Sequence, residues 1–455
     1  MPDQHECRYP NGNVLYRRLK KTYPRIVRGE GIMLYDAEGK EYIDACSGAY
    51  VTNIGHGVRE VADALSAQAR RFAYVNGTAF THDAAEEAAY ELAKRCPHGL
   101  DKVFLLLSGS DAVEAALKTA RQYWAALGKP EKKKLFALTP SYHGSGLLAL
   151  SVSGRPEYQK TYQDWIVDVV RGPAPYPYRC LCRGKDPVCP SCTGTGIEKR
   201  ILEEGPEKVA AIIIEPIGGS STGCSVPRLE FLRNLRAFCD KYDVLLIADE
   251  VLTGAGRTGT WSALEHYGVV ADLLVFGKGI TGGYAPLSAL VTSEKIADVF
   301  ARSSGSLPHN QTFSHFSVSC AACVAALAYL KEHGLIERCA RMGEKLQEKL
   351  QILREHPNVG DVRGKGLLAG VEFVEDRESR MPFERRRRCA ETFAQLAQDM
   401  GLVVWPNYGQ ADGVNGDLAM LAPPFTVTES ELDRIIDLFR GALKATLNSM
   451  RKDAA

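Results

Sequence analysis

The sequence predicts an α/β protein with a large domain built on a mainly parallel sheet and a smaller α+β domain. Two observations favour this fold. Short apolar runs, several rich in β-branched residues, each end in a polar or glycine-rich turn, and the segments between them are long enough for helical crossovers. Beyond about residue 335, charged helical patterns alternate with strand-like pieces. In a parallel sheet of this kind, ligands gather at the carboxyl edge.

We expect three regions along the chain. Residues 1–60 would form an N-terminal arm and part of the small domain. Residues 61–330 would form the large ligand-binding domain, with a cysteine-rich insert at residues 178–197, and residues 331–455 would complete the small domain.

Composition narrows the class of protein. The 455 residues are 45% hydrophobic and 24% charged, which is typical of a globular protein. The formal net charge of +1 argues against a nucleic-acid partner. The sequence shows no apolar run of membrane-spanning length and no signal-peptide pattern at its start, so we predict a cytoplasmic protein without a membrane partner. The 13 cysteines, mostly scattered, indicate free thiols in a reducing compartment.

The first elements precede the large domain. Residues 1–30 are polar and predict a surface arm, and residues 31–44 read as a β-hairpin around an acidic-glycine turn. A glycine-rich loop at residues 47–57 leads to an amphipathic helix at 58–72. Within this loop Tyr50 is a candidate substrate-facing aromatic, and ordinary packing is the alternative.

The next strand-to-helix turn is a candidate anion site. A buried strand at residues 103–107 turns directly into a helix at 112–127. Ser108 or Ser110 suits the N-cap, and Gly109 permits a close backbone approach. Free N–H groups and the helix dipole favour an anion there, most naturally a phosphate. Many turns of this type hold no ligand, so the pattern alone is weak.

Two further strands end in candidate site residues. The strand at residues 135–138 is followed by Tyr142, an aromatic that suits stacking on a cofactor ring. The fully apolar strand at 209–214 ends at Glu215.

The most informative stretch is a pair of buried strands that each deliver one charge. The strand at residues 244–248 ends in Asp249, and the strand at 273–276 is followed by Lys278. A carboxylate and an amine are costly to bury unless a group between them pairs with both. Pyridoxal phosphate (PLP) fits, because its aldehyde needs a lysine and its ring nitrogen needs an acid. On these residues alone, a plain buried ion pair is the alternative.

The remaining elements suit the smaller domain. A basic run at residues 385–388 indicates a solvated helix face rather than a nucleic-acid patch. The other predicted elements are strands at residues 288–291, 367–373, 402–405 and 418–421, and helices at 318–332, from 335 onward and at 429–447.

These motifs in order resemble the class III, or ω-aminotransferase, family of fold-type I PLP-dependent enzymes. The likeness runs from about residue 14 to 447. Seven segments carry it: SGSDAVEAALKTAR, SYHG, IIIEPIGG, ADEVLTGAGRTG, FGKGITGG, QTFSHF and VRGKGL. The resemblance implies a seven-stranded sheet in the large domain and a homodimer whose subunits share active sites.

The resemblance also implies roles for individual residues. Lys278 matches the lysine that binds the PLP aldehyde, and Asp249 matches the partner of the pyridine nitrogen. Val251 and Tyr142 match the positions that pack on the two faces of the ring.

Further cofactor contacts follow from the same match. Gly109 and Ser110 correspond to the phosphate cup, and Thr312 to a threonine that the family supplies to the phosphate of the second subunit. His143 of the SYHG segment and Glu215 fall among the cofactor-binding positions, without an assigned chemical role.

One departure from the family pattern bears on the substrate. Met420 stands where relatives acting on α-carboxylates often place an arginine, so bidentate carboxylate recognition must come from elsewhere. Met420 and Tyr50 therefore favour amines or ω-amino acids as donors.

The activity implied is ping-pong transfer of an amino group from an amine or ω-amino acid to an oxo acid such as pyruvate or 2-oxoglutarate. Freed Lys278 would move the proton between substrate and cofactor. Two alternatives stay open. One is a lyase, aminomutase, racemase or decarboxylase on the same fold, and the other is a regulatory protein with a vestigial site.

A cysteine cluster lies outside the family pattern. Its four thiols follow the spacing C-x-C-x6-C-x-x-C, which is typical of a compact zinc knuckle: Cys180, Cys182, Cys189 and Cys192. A structural Zn²⁺ site would order a loop that has no core of its own. Disulfides, free thiols and an iron–sulfur cluster are the alternatives.

Overall fold

The computed structural model describes residues 12–307 and 309–452. The predicted N-terminal arm therefore lies partly outside the described residues. The strands are β1 Ile26–Glu30, β2 Met33–Asp36, β3 Glu41–Asp44, β4 Leu100–Leu106, β5 Lys134–Thr139, β6 Val170–Pro173, β7 Val209–Ile214, β8 Leu245–Asp249, β9 Leu273–Phe276, β10 Ser288–Ser293, β11 Val359–Gly364, β12 Ala369–Phe373, β13 Leu402–Val403, β14 Trp405–Tyr408 and β15 Asp417–Leu421.

The α-helices are α1 Ser47–Tyr50, α2 Arg59–Arg71, α3 Asp83–Ala93, α4 Gly109–Ala126, α5 Leu147–Val152, α6 Pro156–Gln159, α7 Pro190–Thr193, α8 Thr195–Glu204, α9 Leu229–Lys241, α10 Glu294–Arg302, α11 Ser317–Glu332, α12 Leu335–Leu350, α13 Cys389–Asp399 and α14 Glu429–Lys452. Short 3₁₀ turns cover Lys160–Tyr162, Pro206–Lys208, Ala263–Tyr267, Lys278–Thr281, Gln351–Glu355 and Arg385–Arg387. Among the described residues, none of these helices has the length and apolarity that a bilayer crossing requires.

The large sheet confirms the predicted mainly parallel architecture. Its seven strands run in the order β4-β10-β9-β8-β7-β5-β6. Strands β9, β8, β7, β5 and β6 are mutually parallel, and only β10 is antiparallel to its neighbours, β4 and β9. The carboxyl ends of β5, β7, β8 and β9 therefore meet at one edge.

The central strands are buried on both faces. In β7, Ile212 and Ile214 pack into the core on one side of the sheet, whereas Ala211 and Ile213 pack into the core on the other. The sequence contains no polar alternation in these strands because neither face meets water.

Two smaller sheets involve the chain ends. β1, β2 and β3 form an antiparallel sheet that β13 joins in parallel, and β11, β12, β15 and β14 form an antiparallel sheet. The predicted hairpin at residues 31–44 is confirmed, with Met33 opposite Ile43. The domain boundaries predicted at residues 60 and 330 remain a prediction.

The single strand predicted at residues 402–405 is two strands in the structure. β13 ends at Val403, and after Val404 the chain enters a different sheet as β14. Pro406 lies in β14 at the edge of its sheet, where a missing N–H donor is tolerated.

The basic run predicted as a solvated helix face is a single 3₁₀ turn. The arginines of the run form ion pairs with glutamates: Arg385 and Arg388 with Glu391, Arg386 with Glu384 and Arg387 with Glu375.

Candidate active site

A cavity of about 980 Å³ lies at the carboxyl edge of the large sheet. It is open to solvent on one side and is lined by residues from the ends of several strands. The lining residues that the sequence predicted are Tyr50, Gly109, Ser110, Tyr142, His143, Glu215, Asp249, Val251 and Lys278.

Lys278 enters the cavity from the turn after β9. Its backbone has φ 47°, in the left-handed region, and Gly277 precedes it. Burial lowers the pKa of the Lys278 amine, while the nearby carboxylates of Asp249 and Glu215 oppose that change. A buried amine with a lowered pKa is the form of lysine that suits a nucleophile or a base at neutral pH.

Asp249 ends β8 and pairs with His143 rather than with Lys278. Its Oδ2 accepts a hydrogen bond from His143 Nδ1 at 2.8 Å, and its Oδ1 accepts one from the backbone N–H of Val251 at 3.1 Å. The His143 ring is fully buried. The plain Lys278–Asp249 ion pair, the alternative that the sequence left open, is therefore not formed.

The sequence predicts His143 as a cofactor contact but does not predict its pairing with Asp249. The two residues lie 106 positions apart, and the sequence carries no local signal that joins them.

The predicted anion site lies at the N-terminus of α4, where a capping box fixes the first turn. Ser108 and Asp111 form a reciprocal capping box, in which the Ser108 hydroxyl accepts from the Asp111 N–H and the Asp111 carboxylate accepts from the Ser108 N–H. The helix begins at Gly109, three residues earlier than predicted, because this box holds the first turn. The first N–H groups of a helix have no acceptor within it and attract anions.

Neighbouring groups close tightly around this turn. A Cβ atom at Gly109 would lie 2.8 Å from Cγ1 of Val251, so only glycine fits there. Ser110 Oγ accepts a hydrogen bond from the Ser145 N–H at 3.0 Å, which ties the turn to the loop after β5.

Val251 and Tyr142, which the resemblance assigns to the two faces of the cofactor ring, both line the cavity. Val251 packs against Gly109. The Tyr142 ring lies edge-on to Tyr158 with 6.2 Å between centroids.

Glu215 follows β7 and reaches the same cavity. Its carboxylate accepts hydrogen bonds from the N–H groups of Tyr142, at 3.2 Å, and Gly219, at 3.1 Å. Burial raises the pKa of Glu215 to about 7, and the charge of His143 opposes that rise. Through these two hydrogen bonds Glu215 connects the loop after β5 with the loop after β7.

Tyr50 lines the cavity close to the lysine. The Lys278 Nζ atom lies 5.5 Å from the centroid of the Tyr50 ring, and the Tyr50 backbone is held at φ 65°. The Tyr50 hydroxyl donates to Sδ of Met420 at 3.0 Å.

Met420 does not take the substrate-facing place expected of it. It is fully buried in β15, and Tyr50 stands between it and the cavity. The alternation of β15 turns the Met420 side chain into a small core with Cys224 and Leu418.

Thr312 lies away from the cavity of its own chain. It is exposed, in a turn that precedes α11. The predicted contact with a phosphate in a second subunit remains a prediction.

Several cavity residues were not found from the sequence. They are Arg17, Arg18, Arg155, Tyr158, Trp405, Asn407 and Tyr408. Arg155 follows a glycine in the loop after α5, and Asn407 lies in β14, so their proximity depends on tertiary packing across about half the chain.

The residues present fit PLP. The cavity offers a buried amine, an acid fixed by a buried histidine, and a helix N-terminus too tight for any side chain at Gly109. These groups match an aldehyde, a ring nitrogen and a phosphate, which are the three polar parts of that cofactor.

The four cysteines of the insert lie together. Their Sγ atoms all fall within 4.8 Å of one another. The separations are 3.3 Å for Cys180–Cys182, 3.5 Å for Cys180–Cys189 and 3.4 Å for Cys182–Cys192, too long for disulfide bonds.

Comparison with known proteins agrees with this geometry. The family model described as "Aminotransferase class-III" matches residues 16–443. The chain is 34% identical to the uncharacterized aminotransferase YodT of Bacillus subtilis, covering 96% of this chain and 98% of that protein. It is 35% identical to a diaminobutyrate–2-oxoglutarate transaminase of Halomonas elongata, covering 94% and 92%.

Solved structures agree as well. An (S)-enantioselective ω-transaminase from Thermomicrobium roseum is 34% identical and superposes with a TM-score of 0.87 over 94% of both chains. The ω-transaminase from Pseudomonas jessenii in complex with PMP is 32% identical, with a TM-score of 0.87 over 94% of both chains. The resemblance inferred from seven short segments is thus confirmed, and so is the fold-type I architecture. This chain belongs to the class-III aminotransferase family of PLP-dependent enzymes.

Proposed function

We propose that this transaminase moves an amino group from an amine or ω-amino acid to an oxo acid such as pyruvate or 2-oxoglutarate, in two half-reactions. The observation that carries the proposal is that Lys278, a buried amine with a lowered pKa, lines the same cavity as the histidine-bound Asp249.

Each residue then has a defined task. When bound, PLP supplies an aldehyde that takes up the donor nitrogen and a ring that accepts electrons from the donor carbon. Lys278 would hold the aldehyde at rest. Once displaced, its amine would take a proton from the donor carbon and return it to the cofactor side, which needs an uncharged amine and therefore benefits from the lowered pKa.

Asp249 and the α4 turn would hold the cofactor. The Asp249 carboxylate keeps lone pairs free beyond its bonds to His143 and Val251, and its negative charge would keep the ring nitrogen protonated. The N–H groups of Gly109 and Ser110 would hold the phosphate. Val251 and Tyr142 would restrict water at the two ring faces.

The function is tested by running the first half-reaction alone. Purified PLP-loaded protein is mixed with a panel of amines and ω-amino acids without any acceptor, and the visible absorption of the cofactor is followed. We expect a productive donor to convert the cofactor to its amino form, and pyruvate or 2-oxoglutarate to reverse the change. Product formation with no lasting change of the cofactor would instead indicate a lyase or isomerase.

We further propose a homodimer with shared sites. Thr312 is exposed outside its own cavity, and the aromatic side chains of Tyr74, Phe80 and Phe313 are 43%, 68% and 46% exposed. Exposed aromatics near one segment favour a protein interface. Tyr74 and Phe313 are in contact, with ring centroids 5.8 Å apart.

The dimer makes a prediction for Thr312. Sedimentation should give twice the 49.8 kDa chain mass, and Thr312→Ala should weaken PLP binding without dissociating the dimer. Mixing Thr312→Ala chains with Lys278→Ala chains should restore sites that bind PLP normally, because the hybrid has one site with both residues intact. A fully active monomer would contradict the proposal.

We also propose a cytoplasmic location. Every cysteine in the part of the chain that the structure describes is free, including buried ones with raised thiol pKa such as Cys320. This pattern is typical of a reducing compartment. Fractionation of cells producing the tagged protein tests it, and recovery mainly from a membrane or secreted fraction would contradict it.

We propose that the cysteine cluster holds a structural Zn²⁺. Four thiolates around one zinc at about 2.3 Å would sit roughly 3.8 Å apart, close to the separations of 3.3 to 3.5 Å here. Four cysteine ligands leave no open position, so the ion would have no catalytic role. The segment has little core, since Leu181 and Val188 are 101% and 76% exposed.

Zinc should therefore contribute to folding of this segment. We expect elemental analysis to find one zinc per chain in the wild type and none in Cys182→Ser or Cys192→Ser. The melting temperature of these two variants should be lower than that of the wild type by on the order of a few degrees. Cys96→Ser, which changes a cysteine outside the cluster, serves as the control and should keep the metal. A metal-free protein with unchanged stability would contradict the site, and iron with visible absorption would indicate an iron–sulfur cluster.

A further inference from the structure

Arg155 is a buried cation on the wall of the active-site cavity. It is 8% exposed and lines the same cavity as Lys278. Its Nη2 group donates to Oδ1 of Asn407 at 2.8 Å and to the carbonyl of Tyr408 at 3.2 Å. Its guanidinium carbon lies 4.4 Å from the centroid of the Tyr158 ring. The guanidinium is thus held in one orientation.

Within the described residues this guanidinium has no carboxylate partner. Arg179 and Arg363, by contrast, both pair with the buried Glu372. Arg257 also has no carboxylate partner among the residues that the structure describes, but its Nη groups donate to protein oxygens and it does not line the cavity. The Nε and Nη1 groups of Arg155 have no protein acceptor in the described part of the chain, and neither atom is sealed from solvent.

A buried charge without a counterion is unfavourable unless a ligand supplies one. The ligand chemistry that satisfies a fixed guanidinium best is a carboxylate, which can accept two parallel hydrogen bonds. The free Nε and Nη1 groups of Arg155 are available for such bonds.

Arg155 shares its cavity with the reacting amine. Lys278 Nζ lies 5.5 Å from the centroid of the Tyr50 ring, and Arg155, Tyr50 and Lys278 all line the same cavity. A small acid bound by Arg155 would therefore lie in the cavity that Lys278 enters.

Resting on the proposed transaminase function, we infer that Arg155 binds the carboxylate of the oxo-acid acceptor, and of any donor that carries one. Asn407 and the Tyr408 carbonyl are positioning groups that aim the guanidinium. Arg155 would take over the role of the arginine that relatives acting on α-carboxylates often place at the position of Met420. In this chain Met420 is bonded to the Tyr50 hydroxyl and does not reach the cavity.

Two other arginines of the cavity are rivals for this role. Arg17 and Arg18 line the cavity but are exposed. Exposed ion pairs are weak because water screens them, so these residues should contribute less to carboxylate binding than Arg155.

The test separates the two half-reactions of the PLP-loaded enzyme. We expect Arg155→Gln to lower kcat/KM for pyruvate and 2-oxoglutarate by about tenfold to a hundredfold, mainly through KM, the loss typical of a charged hydrogen-bonded pair. The half-reaction with an amine that has no carboxylate should keep the wild-type rate. Arg155→Lys keeps the positive charge but loses the planar pair of N–H donors. Its kcat/KM for the oxo acids should therefore lie between the values of the wild type and Arg155→Gln.

A binding measurement keeps the inference testable apart from activity. Glutarate has two carboxylates and no group to transfer, and its affinity for the PLP-loaded protein is measured by calorimetry. Arg155→Gln should weaken it by about tenfold or more. The control is Arg171→Gln, which removes a half-buried guanidinium that bonds to α5 carbonyls and does not line the cavity.

The outcomes are distinct. The inference is overturned if Arg155→Gln slows both half-reactions equally, or if it leaves glutarate affinity unchanged. It is also overturned if the selective loss of oxo-acid turnover occurs only in Arg17→Gln or Arg18→Gln. If Arg155→Gln does not fold, Asn407→Ala, which frees the guanidinium, should show the same selective loss in weaker form. A wild type that binds glutarate through Arg155 but performs neither half-reaction would refute the transaminase function and leave the carboxylate site standing.

Discussion

Replacing Lys278 by alanine should lower transamination by at least about 10⁴-fold, because one amine serves as both the attachment point of the cofactor and the group that moves the proton. The fold should survive. Lys278 is buried enough to lower its pKa, so the charged amine is an unfavourable occupant and its removal costs little stability. Alanine also inherits the same left-handed backbone, which the native lysine already adopts at φ 47°.

The measurement is turnover with an amine donor and pyruvate, alongside a melting curve for each variant. Lys278→Arg is the matched variant, because it keeps a positive charge but cannot bind the aldehyde, and it should be equally inactive. Lys331→Ala changes an exposed lysine of α11 and should retain activity. Full turnover by Lys278→Ala would remove Lys278 from the mechanism.

Burial explains which parts of the fold could be predicted. The bounds of β7 and β9 match the sequence prediction because both strands are apolar throughout and covered on both faces. Because the strands are parallel, the sequence also predicts that their carboxyl ends meet at one edge of the sheet. The residues expected there line one cavity: Gly109, Ser110, Tyr142, His143, Glu215, Asp249, Val251 and Lys278.

Side-chain partners could not be predicted, because they depend on packing between distant segments. Arg155 meets Asn407 across 252 positions of sequence, and His143 meets Asp249 across 106. Met420 was placed correctly in a strand, but the register of β15 turns its side chain away from the cavity.

Asp249→Asn should be nearly inactive yet as stable as the wild type. The amide has the shape of the carboxylate and retains an oxygen for the Val251 N–H, but it carries no negative charge to keep the ring nitrogen protonated. Loss of one preorganised electrostatic contact in an active site typically costs about 10² to 10³ in kcat, and we expect a loss of this order here. PLP should still bind, since Lys278 and the α4 turn remain. Single-turnover rates with a saturating amine measure the loss.

The adjacent Glu250 provides a matched control, because it is also a buried carboxylate but stabilises the fold instead of facing the cavity. It points away from the cavity and accepts hydrogen bonds from the hydroxyl of Ser262 and the N–H groups of Ala263 and Leu264. Glu250→Gln should therefore lower the melting temperature and leave kcat of the folded enzyme nearly unchanged. If Asp249→Asn instead behaves like Glu250→Gln, with lost stability and normal kcat, then Asp249 only anchors His143, and another group keeps the ring nitrogen protonated.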